Sequence, residues 1–134
     1  MKKLAFALTA LCLSSVALAD KIINNSDEND MAVTYMICEG SSSPWGSDTT
    51  CHSTQEVTIN SAKKGINCLD IALPQANKTG NYVWLFVTKA LAQQSGNTVA
   101  ESSFTDFRCG ASDVLILNDM HSPYVICQDA HEKK

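Results

Sequence analysis

The side chains best able to do chemistry in this chain are its cysteines and histidines. They are Cys38, Cys51, Cys68, Cys109 and Cys127, a sixth cysteine, Cys12, near the N-terminus, and His52, His121 and His131. A catalytic thiolate needs a neighbouring base or positive charge and some exposure. No histidine stands in a recognisable Cys/His signature, and His131 lies in the polar tail QDAHEKK. Zinc fits no better. Neither C-x-x-C nor H-E-x-x-H occurs, and Cys51 and His52 are adjacent, which points their side chains apart on an extended chain. The sequence therefore predicts no catalytic residue, no metal ligand and no cofactor.

Disulfides are the expected fate of these cysteines in an exported protein. The chain that remains after a leader is removed has five, so one is left over. Cys38 ends one predicted strand and Cys51 precedes the next, so Cys38–Cys51 would staple a loop and contribute about 3 kcal/mol. Cys109 and Cys127 flank and occupy the last strands and form the second expected pair. Cys68 is then the free thiol, inside an apolar strand, where it would act as a small hydrophobe. An odd thiol also raises the prospect of a covalent dimer.

Other constellations read as turns. NNSDENDM (24–31) gathers Asp27, Glu28 and Asp30, yet lacks the glycine and distant glutamate of a calcium loop. Asn, Asp and Ser dominate turns, and a solvated turn is the expectation. Asp119 and His121 in LNDMHSP (117–123) read the same way. Asn24 and Asn77 begin glycosylation patterns, discounted because the leader looks bacterial. The segment SSSPWGSDTTCH (41–52) is turn chemistry around a tryptophan. With its base tied by Cys38–Cys51, it would present Trp45, Asp48 and His52 to a partner at low entropic cost. The opposing expectation is that Trp45 folds back as a lid on the core.

Strands must position these residues. Short apolar alternation punctuated by Asn, Gly, Ser and Asp recurs along the chain. MAVTYMIC (31–38) puts Val33, Tyr35 and Ile37 on one face. EVTIN (56–60), INCLDIAL (66–73), TVAESSF (98–104), DVLILND (113–119) and YVICQD (124–129) follow, with a short first strand at KIIN (21–24). NYVWLFVTKAL (81–91) is apolar on both faces, which predicts a central strand with Trp84 in the core. The expectation is an all-β, antiparallel β-sandwich of seven or eight strands, Ig-like in architecture. The alternative is an α+β fold with a short helix near 87–94, where Ala, Leu and Gln favour helix.

The N-terminus MKKLAFALTALCLSSVALAD has a basic start, an apolar run and an A-x-A site before Asp20. That pattern predicts a cleaved signal peptide over 1–19, a single domain over 20–134 and a secreted or periplasmic location, with no membrane anchor. Without Lys2 and Lys3, eight basic and fourteen acidic residues remain, a net charge of −6. Arg108 is the only arginine. Nucleic acid is excluded as a partner, because phosphate recognition leans on clustered basic residues. These features together predict an exported, non-enzymatic binding protein for a protein or glycan partner. A small secreted hydrolase assembled only in the fold, and a disulfide-linked structural subunit, are the alternatives.

Overall fold

The computed structural model describes residues 19–40, 48–72, 82–110, 113–119 and 122–129. They form nine strands and one turn of 3-10 helix: β1 Ala19–Asn24, β2 Asp30–Gly40, β3 Thr50–Cys51, β4 Gln55–Ile59, the turn Ala62–Lys64, β5 Cys68–Ala72, β6 Tyr82–Gln94, β7 Asn97–Gly110, β8 Asp113–Asp119 and β9 Pro123–Asp129. The architecture is the expected β-sandwich. One sheet runs β5-β1-β8-β9. The other runs β7-β6-β2, with β3 and β4 sharing the outer edge of β2. The β1–β8 pair is parallel, unlike all the others. Most of the domain separates β1 from β8 in sequence, and parallel pairing requires such a long crossover. The predicted leader over 1–19 lies outside the described residues except for Ala19, which opens β1.

The helix considered near 87–94 does not form. Those residues continue β6, a strand of 13 residues held between β2 and β7. Two backbone ladders outweigh a weak helical propensity. β6 is bulged, and the bulge sets which residues face the core. Leu85 and Val87 lie opposite Ile37 and Tyr35, whereas Ala90 and Ala92 lie opposite Val33 and Met31. Thr88 is the extra residue, and its hydroxyl reaches Thr34 O at 3.4 Å. Side chains alternate with period two, so one inserted residue moves the inward set from odd to even positions. β7 has a matching irregularity. Phe107 and Cys109 pack inward on one side of it, Phe104 and Ala100 on the other. The β6–β7 turn is two residues, Ser95 and Gly96, with φ of 51° and 82°. Positive φ at both positions gives the turn whose twist matches a hairpin.

The core joins Ile22, Ile71, Leu115 and Leu117 of one sheet to Met31, Val33, Leu85 and Val87 of the other. Trp84 is only 2% exposed, but it is not in that core. It neighbours inward-facing Leu85 and pairs across from Cys38, so it lies on the outer face of its sheet. The Arg108 guanidinium sits 5.9 Å from its ring centroid and 4.9 Å from that of Phe86. Cys38 is bonded to Cys51 directly across β2–β3, and Cys109 to Cys127 between the two sheets. The expectation of a free thiol at Cys68 is corrected: Cys68 is disulfide-bonded, and no cysteine among the described residues is free. Cys68 is also not a core residue. It pairs with Ile23 on the outer face, while the next residue, Leu69, turns inward opposite Ile22.

The acidic turn is more ordered than a solvated loop. Asp30 accepts from Ser61 N at 2.9 Å and from Lys64 Nζ at 2.7 Å. The Lys64 hydrogen bond holds the Asp30 carboxyl below its ordinary 3.8, against the upward pull of burial. A lowered folded pKa contributes stability that is complete above the unfolded value and is lost as pH falls through the folded one. Acid titration should therefore weaken the domain below about pH 4, and Lys64→Met should flatten that limb of the stability–pH curve. An unchanged acid limb in Lys64→Met would remove Asp30 from the account.

Candidate functional site

The two sheets are closed along one side and open along the other. β9 packs against β6 and β7, β8 packs against β7, and Cys109–Cys127 ties that side together. On the opposite side lie β5, the edge of one sheet, and β3 with β4, the divided edge of the other. β4 pairs with β2 as far as Tyr35, and β3 resumes at Cys38. Between them residues 52–54 cross the edge without strand pairing, held by His52 N donating to Ile37 O at 2.8 Å. Tyr35 and Ile37 of β2 and Leu69 of β5 are only partly buried there, packed against the edge of the core. A cavity of about 420 Å³ opens there, with Tyr35, Ile37, Leu69 and Ile71 as its floor. His52, Ser53, Gln55 and Asp70 form its rim.

The floor is apolar and the rim is polar. Burial pushes the Tyr35 hydroxyl above its ordinary 10.0, so it stays a neutral donor at physiological pH. Glu39 continues the inward-facing series of Tyr35 and Ile37 to the mouth, where His52 Nε2 lies 3.2 Å from its Oε2. On the other wall, Lys21 Nζ donates to Asp70 Oδ1 at 2.7 Å. The Lys21 side chain is 7% exposed and that of Asp70 is 44% exposed. A covered ammonium needs its carboxylate, so this pair fixes Asp70 at the rim. Chemically, the imidazole–carboxylate contact is the start of a general base. The His52 ring is 55% exposed, and Ser53 is its immediate neighbour in an extended stretch. Successive side chains of an extended chain point apart.

Of the predicted partner-binding residues, His52 reaches the cavity. Asp48 is exposed on the turn beside Gly40, where its Oδ1 would stand 3.3 Å from a Cβ added to the glycine, and it is not among the described residues of the cavity. Trp45, His121, His131 and Asn77 lie outside the described residues. Tyr35, Ile37, Leu69, Gln55 and Asp70 were missed by sequence reasoning. Alternation marks the first three as inward residues, but nothing local shows that the sandwich fails to close over them. Among the described residues, no group of three or more His, Cys, Asp or Glu could hold a metal ion. No helix among them is long and apolar enough to cross a membrane. No protein family, curated protein or solved structure compared with the chain gives a significant match.

Proposed function

We propose that the protein is an exported binding protein that holds a protein or glycan partner in the open seam between its sheets. The observation that carries this reading is that inner-face residues of both sheets, Tyr35, Ile37, Leu69 and Ile71, line a cavity open to solvent. Its volume of about 420 Å³ is in the range of ordinary ligand sites, which combine an apolar floor with a few polar groups. The leader-like N-terminus and the disulfides Cys38–Cys51 and Cys109–Cys127 support export. Cys38–Cys51 ties the stretch that carries His52 to β2 beside the seam.

Gln55→Trp tests the reading, because Gln55 is exposed at the rim and an indole there would fill the cavity. The variant should melt within a few degrees of the natural protein and lose the partner captured by the natural protein from envelope or host extracts. Undiminished capture would place binding elsewhere. A small hydrolase is the second reading, carried by the His52–Glu39 contact at the mouth. Ester turnover that disappears in His52→Ala would favour it, and binding that survives that change would favour the first.

A further inference from the structure

The seam is bounded by a strand edge, and that determines the kind of partner it suits. Among the described residues, β1 is the one strand neighbour of β5, so the other edge of β5 faces the opening. An edge strand presents backbone N–H and C=O groups that can pair with a further strand. Leu69 and Ile71 point inward from β5 and Asp70 points outward, beside Lys21. A strand added beside β5 would have the same period of two. Its inward side chains would enter the cavity above Tyr35 and Ile37. Its outward side chains would pass Asp70, which keeps nearly half its side-chain surface exposed. Glu39 stands at the mouth and Asp48 on the turn beyond, and the chain is acidic overall.

The geometry points to strand addition: an extended segment of a partner polypeptide pairs with β5, with apolar residues at alternate positions inside the seam and Lys or Arg between them. This rests on the seam being the docking site. Backbone pairing supplies affinity and the alternating pockets supply selectivity, as in other added-strand complexes. The carboxylates of Glu39, Asp48 and Asp70 select basic flanks and disfavour acidic ones.

The test uses the full chain and a labelled, end-blocked peptide of roughly eight residues alternating Lys and Val, the length of an ordinary strand. Binding is read by fluorescence anisotropy and the bound face by amide hydrogen exchange. The alternating peptide should bind and slow exchange of the Asp70 amide. Asn24 N donates to Asn67 O, so by alternation the Leu69 and Ile71 amides point at β1 and that of Asp70 points to the free edge. N-methylation of every second peptide amide, on the side facing β5, should weaken binding by at least about tenfold, or 1.4 kcal/mol. A peptide of the same composition with its Lys and Val in separate blocks should bind more weakly still. Absence of binding, equal binding of the N-methylated peptide, or protection confined to β7 or β9 would overturn strand addition. The Gln55→Trp variant separates the two levels. If N-methylation has no effect but Gln55→Trp abolishes binding, the seam is a docking site without strand pairing. If Gln55→Trp leaves peptide binding unchanged, both readings fail.

Discussion

Asn24→Ala is expected to lower the stability of the domain by about 3 kcal/mol or more. Asn24 has no exposed surface, although it stands in a run of polar turn residues. Its Nδ2 donates to Asn29 O at 2.9 Å, to Ile59 O at 3.1 Å and to Asn60 O at 3.1 Å. Its Oδ1 accepts from Ser26 N at 2.9 Å. Its backbone N–H donates to Asn67 O, and its C=O accepts from Asn67 Nδ2. One side chain thus joins the end of β1, the turn before β2 and the end of β4. Alanine keeps the backbone bonds and strips the others, leaving buried carbonyls without a donor, each costing about 1–3 kcal/mol. Thermal unfolding should show a midpoint lower by about 10 °C or more. Asn24→Asp is the sharper control, because a carboxylate still accepts from Ser26 but turns an acceptor toward three carbonyl oxygens. It should be no better tolerated than alanine. A loss under about 1 kcal/mol in both variants would show that the three carbonyls are satisfied by other means. The burial of Asn24 also removes it as a glycosylation acceptor in the folded protein.

Asn24 marks one limit of what could be read from the chain. The run 24–31 carries the composition of a solvated turn, and the turn is there. Its first residue, however, is a fully enclosed connector whose partners lie more than thirty residues away at Ile59, Asn60 and Asn67. Composition reports local conformational preference and says nothing of such distant acceptors. The strands were more legible where alternation is unbroken. Val33, Tyr35 and Ile37 share a face of β2 as their spacing implies, and DVLILND is β8 in full. Where the chain is bulged, the pattern blurs. The shift at Thr88 puts Leu85 and Val87 on the same face as Ala90 and Ala92, so the strand reads as apolar on both sides. The irregularity near residues 104–106 hides the last third of β7 behind a break in phase. The two-residue strand β3 is too short to show any period.

The candidate site was less legible than the fold, for a physical reason. His52 was singled out because it is a histidine in a tethered loop, and it does reach the cavity. The cavity itself arises where β3 ends opposite Cys38 and β4 begins opposite Tyr35, leaving β2 without a strand partner on that edge between them. That gap is a property of two strand registers and of β5 across the seam. Each of Tyr35, Ile37 and Leu69 looks, in its own segment, like any other inward-facing strand residue.

Trp84→Ala should lower stability by about 3–5 kcal/mol, as large aromatic truncations do when the ring is enclosed. The enclosure is on the outer face of the sheet, next to the Cys38–Cys51 disulfide and beneath Arg108, rather than between the sheets. Trp84→Phe should cost clearly less. The indole Nε1 is buried with no hydrogen-bond partner among the described residues, so phenylalanine forfeits volume without breaking a bond. The location makes a second, sharper demand. Cys38 lies directly opposite Trp84, close enough for their side chains to pack as a cross-strand pair. Removing the disulfide with Cys38→Ala and Cys51→Ala should cost up to about 3 kcal/mol alone. Combined with Trp84→Ala, the losses should fall short of additive by about 0.5–3 kcal/mol, because each change already loosens the other's packing. Leu117→Ala, in the other sheet, should add to the disulfide removal within about 0.5 kcal/mol. Denaturant unfolding of the six variants measures all of this at once. Strict additivity for Trp84 would mean that its cover does not depend on the disulfide. A cost under about 1 kcal/mol for Trp84→Ala would mean that the outer face does not enclose the ring in solution at all.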